Sequence, residues 1–213
     1  MIAGIVTDLT DWLDRISSHW WFLLIILIIA FLDSVIPIVP SETCVIIGGV
    51  AASLGHQNIY AVIGFAAVGA FLGDNTAYQI GLRASGAFRR RADRKPAFAK
   101  KMTWAEDQIA ERGGLLLITA RFIPGGRTAL TLSSGITRQR RGWFIRWIAI
   151  AALIWATYAA MLGRIGGAAF EDDHTKAFLL AFGLAIATNV LIEIVRHTGK
   201  KRRAAAAPVD PTP

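Results

Sequence analysis

The stretch FLDSVIPIVPSET, residues 31–43, sets Asp33, Glu42, Pro37 and Pro40 inside a run otherwise suited to hydrocarbon. The apolar run around it covers residues 20–54, and as one helix at 1.5 Å per residue it would be roughly 50 Å long. Two legs of about 17 residues only just meet the usual spanning requirement. The prolines in the middle remove backbone donors and clash with the preceding turn, so the run breaks there. A re-entrant hairpin over residues 19–55, entering and leaving by the same face with its irregular tip covered by protein, satisfies both length and break.

Composition agrees with a membrane solvent. Of 213 residues, 54% are hydrophobic and 18% charged, and the mean hydropathy of +0.47 lies outside the range of a soluble domain. Trp is plentiful, as interfacial rings require. The single cysteine, Cys44, sits in an apolar run and reads as packing. The net charge of +8 falls in short basic clusters beside apolar runs, a pattern that selects the cytoplasmic face and argues against nucleic acid. Ahead of the first apolar run stand Asp8, Asp11 and Asp14 against Arg15, the reverse of a signal peptide's basic start, so this segment is expected to stay in the mature chain.

Outward from the first break, Ile5, Leu9, Trp12, Leu13 and Ile16 recur at helical spacing, and residues 1–18 read as an amphipathic surface helix. The membrane domain spans 19–198. After hairpin 19–55 comes a crossing helix at 58–82, then a basic cytoplasmic loop at 83–113 rich in Arg and Lys. Within the loop Phe98, Met102, Ala105 and Ile109 share a helical face, with Gly113 as a C-terminal stop. A second hairpin at 114–137 is interrupted by RFIPGGRT, residues 121–128. Crossing helices follow at 142–165 and 175–197, separated by the acidic EDDH of residues 171–174, and the tail 199–213 is basic and then disordered.

The fold expected is an all-α membrane protein in which surface helix, hairpin and crossing helix occur twice, plus a C-terminal transmembrane helix. Pro37 and Gly48 answer Pro124 and Gly135 at one common offset. One crossing helix lies between the hairpins, so the second enters from the opposite face and the repeat is inverted. Charge tests this independently. The clusters around Arg90, around Arg140 and at Lys200 to Arg203 fall on one side, placing the C-terminus in the cytoplasm, while the acidic N-terminus and EDDH fall outside.

Asp33 and Glu42 flank the first break, and Arg121 and Arg127 the second. Hairpins meeting tip to tip would set two acids against two bases near the midplane, where an unpaired charge costs several kcal/mol. Pro37, Pro40 and Pro124 end helices inside the bilayer and expose groups that can hold a ligand, while Gly125 and Gly126 let backbone come close to it. Paired guanidinium forks suit a phosphate, which makes Arg121 and Arg127 the expected grip. An anion that displaces the acids leaves them unpaired in a poor solvent, so they would take up protons. Asp33 and Glu42 are the expected carriers, with Asp74 in GDNTAY a third. Two plainer readings compete: an ion-pair lock for the four charges, and a helix-interface hydrogen bond for Asp74. Glu193 beside Arg196 reads as a solvated pair, and Arg146 and Arg164 as snorkelling side chains. His19, His56, His174 and His197 do not cluster, so neither a metal nor another cofactor is expected.

FLDSVIPIVPSE, GDNTAYQIG and RFIPGGRT followed by SSG resemble the DedA family of membrane proteins, whose shared region is also called the VTT or SNARE-associated domain. The resemblance covers residues 31–163, with Asp33 where the family often carries Glu. It implies a bacterial inner-membrane protein with two opposed re-entrant hairpins that moves lipids with proton coupling. Undecaprenyl phosphate is the implied cargo, with Asp33, Glu42, Arg121 and Arg127 at the functional positions. The function expected is therefore a proton-coupled flippase of a lipid phosphate, in contact with lipid, not an enzyme, and with homo-oligomerisation left open. A membrane-embedded prenyl-pyrophosphate phosphatase competes, although Ser41, Ser133 and Ser134 have no histidine motif nearby. A small-ion or oxyanion transporter and a scaffold without transport are the remaining readings.

Overall fold

The computed structural model describes residues 16–36, 40–122 and 125–168. Residues 1–15 of the expected surface helix, Pro37, Pro124, EDDH, the span expected at 175–197 with Glu193, and the tail all lie outside the described residues. Among the described residues every regular element is helical, and two helices are long and apolar enough to cross a membrane.

Helix α1, Phe22–Val35, is apolar except at Asp33 and Ser34, and ends where Ile36 turns extended at φ −123°. Ile36 precedes Pro37, whose ring disfavours the helical region for its neighbour. Helix α2, Ser41–Ser53, starts directly after Pro40 and carries Glu42 in its first turn, where a negative charge complements unpaired backbone N–H groups. The quoted stretch is thus the join between two helices. Helix α3, Ile59–Arg94, is opened by Asn58, whose side chain accepts from the N–H groups of Tyr60 and Ala61.

The spacing ends this crossing helix near residue 82 and places a basic loop containing a second surface helix at 83–113. In the structure α3 continues to Arg94, and only Lys95 separates it from α4, Pro96–Thr119. The 36 residues of α3 amount to about 54 Å, well beyond a hydrocarbon core of about 30 Å. Gly113 is not a stop either, because α4 runs through it to Thr119. A Cβ at Gly113 would lie 2.8 Å from the Trp143 ring, and one at Gly114 would strike the Trp147 indole. The two glycines make room for tryptophans, and that packing decides the conformation.

The chain then tightens into a 3₁₀ turn, Ala120–Phe122, the second break. Helix α5, Gly126–Ile136, starts from Gly125 in the left-handed region at φ 68°, which glycine adopts without strain. Helix α6, Arg141–Ala168, is the second long apolar helix.

Small residues set the packing, as in other membrane helix pairs. Helix α1 lies on α3, and a Cβ at Gly69 would strike the Leu27 carbonyl. Helix α2 lies on α6, where Gly49 abuts Ala160 and Gly163 abuts Ile46. Helix α5 lies on α3, where Gly81 meets Leu132 and Gly135 meets Tyr78. Each helix that follows a break therefore seats on the long helix of the other half of the chain. A core of Phe22, Ile26, Val45, Ile46, Val62 and Trp155 fills one region, and Tyr78, Leu117, Phe144 and Ile148 fill another. Leu24, Ile28, Val68, Leu72, Leu153 and Ile154 are large apolar side chains left exposed, which suits lipid contact.

Candidate functional site

The two breaks touch. Thr128, in the first turn of α5, donates its hydroxyl to the carbonyl of Ser34 at the end of α1, at 3.1 Å. Beside that contact the Arg127 guanidinium holds Asp33 Oδ2 at 3.0 Å. Ser41, the first residue of α2, donates its hydroxyl to the same Asp33 oxygen. Asp33 thus takes one partner from across the first break and another from the second break.

Arg121, in the 3₁₀ turn, does not pair with an acid of the first break as the spacing suggested. Its Nη1 and Nη2 donate to Asp74 Oδ2 at 2.9 and 2.8 Å. Asp74 stands mid-way along α3, one residue after Gly73, where a Cβ would collide with Phe31 and Ser34 of α1. Both side chains of this pair are only 1% exposed, and the Arg121 guanidinium lies 5.6 Å from the centre of the Trp155 ring, within cation–π range. The second oxygen of Asp74 lies 3.6 Å from Arg127 Nε, so one carboxylate stands between both arginines. Asp33, Asp74, Arg121 and Arg127 form a cluster whose formal charges cancel, which is how buried charge is tolerated in a poor solvent.

Glu42 is placed otherwise than expected. It forms no ion pair among the described residues, although it lies in electrostatic range of Asp33 and of Tyr158 on α6. The physical reason is register: Arg127 reaches Asp33 and Arg121 is taken by Asp74, so neither arginine of the second break is left for Glu42. Pro40 and Gly125 border the breaks, with Gly126 opening α5. Arg146 and Arg164 are exposed on α6.

The apolar stretches of the sequence made Asp33, Arg121, Arg127 and Asp74 visible, because a charge in such a run needs a reason. Sequence reasoning missed the Ser41 hydroxyl on Asp33, the Thr128 link and Trp155 beneath Arg121. Ser41 lay inside the quoted stretch and was readable as a partner for Asp33; nothing in the sequence set Trp155 apart from the other tryptophans.

A helical exterior of apolar side chains around an interior cluster of paired charges defines a membrane protein with a buried polar site. Residues 39–165 match the VTT domain family, and the chain belongs to it. It is 26% identical over 204 residues to undecaprenyl phosphate transporter A of Staphylococcus aureus, covering 92% of this chain and 97% of the relative. It is 27% identical over 194 residues to protein DedA of Escherichia coli, covering 87% of each. A relative from Lactococcus lactis, 23% identical over 193 residues and covering 82% of this chain and 89% of its own, is named alkaline phosphatase-like protein. No solved structure matches the chain significantly.

Proposed function

We propose that the protein carries the phosphate head of a lipid across the bacterial inner membrane in exchange for, or together with, protons. Undecaprenyl phosphate is the cargo this reading favours, since a relative aligned over nearly its whole length is named a transporter of that lipid. The observation that carries the reading is the convergence of Arg121 and Arg127 on shared carboxylates in the interior of a membrane protein. Two guanidinium forks matched to one small anion are the chemistry of phosphate recognition.

The proposed architecture is the inverted repeat, with residues 19–55 and 114–137 as opposed re-entrant hairpins. The exchange of partners, α2 on α6 and α5 on α3, supports it, because a two-fold relation between halves requires matched crossed contacts. The basic end of α3 then faces the cytoplasm and the N-terminus the outside. Phosphate drawn to Arg127 releases Asp33, and Asp33 with nearby Glu42 takes up protons that relieve the unpaired charge. Gly125 and Gly126 give the head group close access to backbone N–H groups at the start of α5.

The phosphatase reading draws on the name of the Lactococcus lactis relative and on the Ser41 hydroxyl held by a carboxylate. One experiment separates the two. Purified protein in liposomes loaded with undecaprenyl phosphate moves the head group between leaflets without releasing phosphate; released phosphate would establish the enzyme instead. Arg127→Ala folds and loses the movement, and Asp33→Asn flattens its dependence on pH. Normal movement by Arg127→Ala removes the grip, and an unaltered pH profile in Asp33→Asn removes the proton role.

A further inference from the structure

The Asp74–Arg121 pair is unusual in how it is satisfied. Both nitrogens at the end of the Arg121 fork address a single oxygen, Asp74 Oδ2. Asp74 Oδ1 and Arg121 Nε are each buried without a hydrogen-bond partner. Buried polar atoms are nearly always paired, and an orphaned donor of a buried cation is costly. A lock built for stability alone would set the fork against both carboxylate oxygens, as parallel N–H···O bonds do elsewhere. Here the carboxylate is turned so that its second oxygen approaches Arg127 Nε at 3.6 Å, beyond bonding distance. Arg121 thus doubles up on one oxygen of Asp74 while the other oxygen, turned toward an Arg127 already held by Asp33, bonds neither arginine.

We infer that the Asp74 carboxylate is a built-in occupant of the phosphate seat, competing with the head group for Arg121 and Arg127. A phosphate carries three terminal oxygens where Asp74 offers two, so it can address Arg121 and Arg127 together and pair the orphaned Nε. Competition of this kind keeps the resting cluster neutral and lets the anion leave again, because the carboxylate returns as the head departs. Asp74, expected from the sequence as a third proton carrier, therefore acts instead as a specificity and release residue, a role distinct from the proton carriage assigned above to Asp33 and Glu42. The inference rests on the lipid-phosphate reading.

The test is binding to the full-length protein in detergent, for wild type and Asp74→Asn, using a polyprenyl phosphate, the polyprenol of equal length and inorganic phosphate. Asn keeps the shape and one acceptor oxygen but withdraws the competing charge. Asp74→Asn is expected to bind the polyprenyl phosphate at least about tenfold more tightly than wild type, about 1.4 kcal/mol, while turning over more slowly, and the polyprenol is expected to bind neither protein with that gain. Equal or weaker binding by Asp74→Asn, with wild type binding normally, overturns this inference and leaves the proposed function standing. Binding of inorganic phosphate but not of the lipid phosphate, again tightened by Asp74→Asn, supports the competition and overturns the lipid as cargo. No binding of either phosphate by either protein overturns both. Should Asp74→Asn unfold on extraction, polyprenyl phosphate present throughout is expected to restore its folded fraction where polyprenol does not, by linkage; equal recovery with both overturns the inference.

Discussion

Arg121 and Arg127 carry the same charge and are held in different ways. Arg121 is 1% exposed, forked onto one oxygen of Asp74 and laid over Trp155, whereas Arg127 is 10% exposed and reaches an Asp33 that is 19% exposed. The Arg127–Asp33 pair is the more exposed of the two. Removing Arg121 strands the fully buried Asp74, so Arg121→Ala is expected to cost about 3–5 kcal/mol of stability, while Arg127→Ala, near the edge of the cluster, costs clearly less. Thermal or denaturant unfolding in one detergent ranks the two, and an Arg127→Ala variant less stable than Arg121→Ala contradicts the assignment. At this scale the sequence was informative about which residues matter, since charges stand out in apolar runs. It was silent about who pairs with whom, because that depends on the rotation of α3 about its axis, which places Asp74 rather than Glu42 against Arg121.

At the scale of elements, the join between α1 and α2 was legible from two prolines in an apolar run, and so was the break before α5 from PGG. The stretch between α3 and α4 was not. Basic residues and Gly113 look like loop and stop, but Pro96 sits where a helix start accepts it and Gly113 with Gly114 accommodates Trp143 and Trp147 from α6. Tertiary contact overrode local signals there. The same seams of small residues make a prediction. Gly163→Leu drives a side chain into the Ile46 carbonyl and Gly81→Leu into Leu132, each costing about 1–3 kcal/mol or more through overpacking. Gly64, in the same helix as Gly81, has open space around its missing Cβ, so Gly64→Leu is expected to leave the unfolding midpoint close to wild type. Similar losses at all three positions would deny the seams their role.

For the whole molecule, the crossed seating of α2 and α5 ties the two halves together, and the basic end of α3 allows the proposed orientation to be tested. With Cys44→Ser as background, a cysteine at His56, exposed between α2 and α3, is expected to react with an impermeant maleimide applied to intact cells. A cysteine at Arg91, exposed near the far end of α3, is expected to react only after permeabilisation. Labelling of both from outside breaks the proposed topology. The general plan, helices in lipid with charges turned inward, was readable from composition and spacing. The exchange of partners was not, because Gly49, Gly81, Gly135 and Gly163 carry no mark in sequence of which helix each will face.

That exchange also sets a schedule for synthesis. Gly49 and its neighbours on α2 have no seat until residues 160–163 of α6 exist, about 110 residues later, a delay of roughly 6–20 s at ordinary rates of translation. For that interval α2 has only α1 and α3 to lie against, so the insertion machinery or bulk lipid must cover its Gly49 face until the last partner emerges.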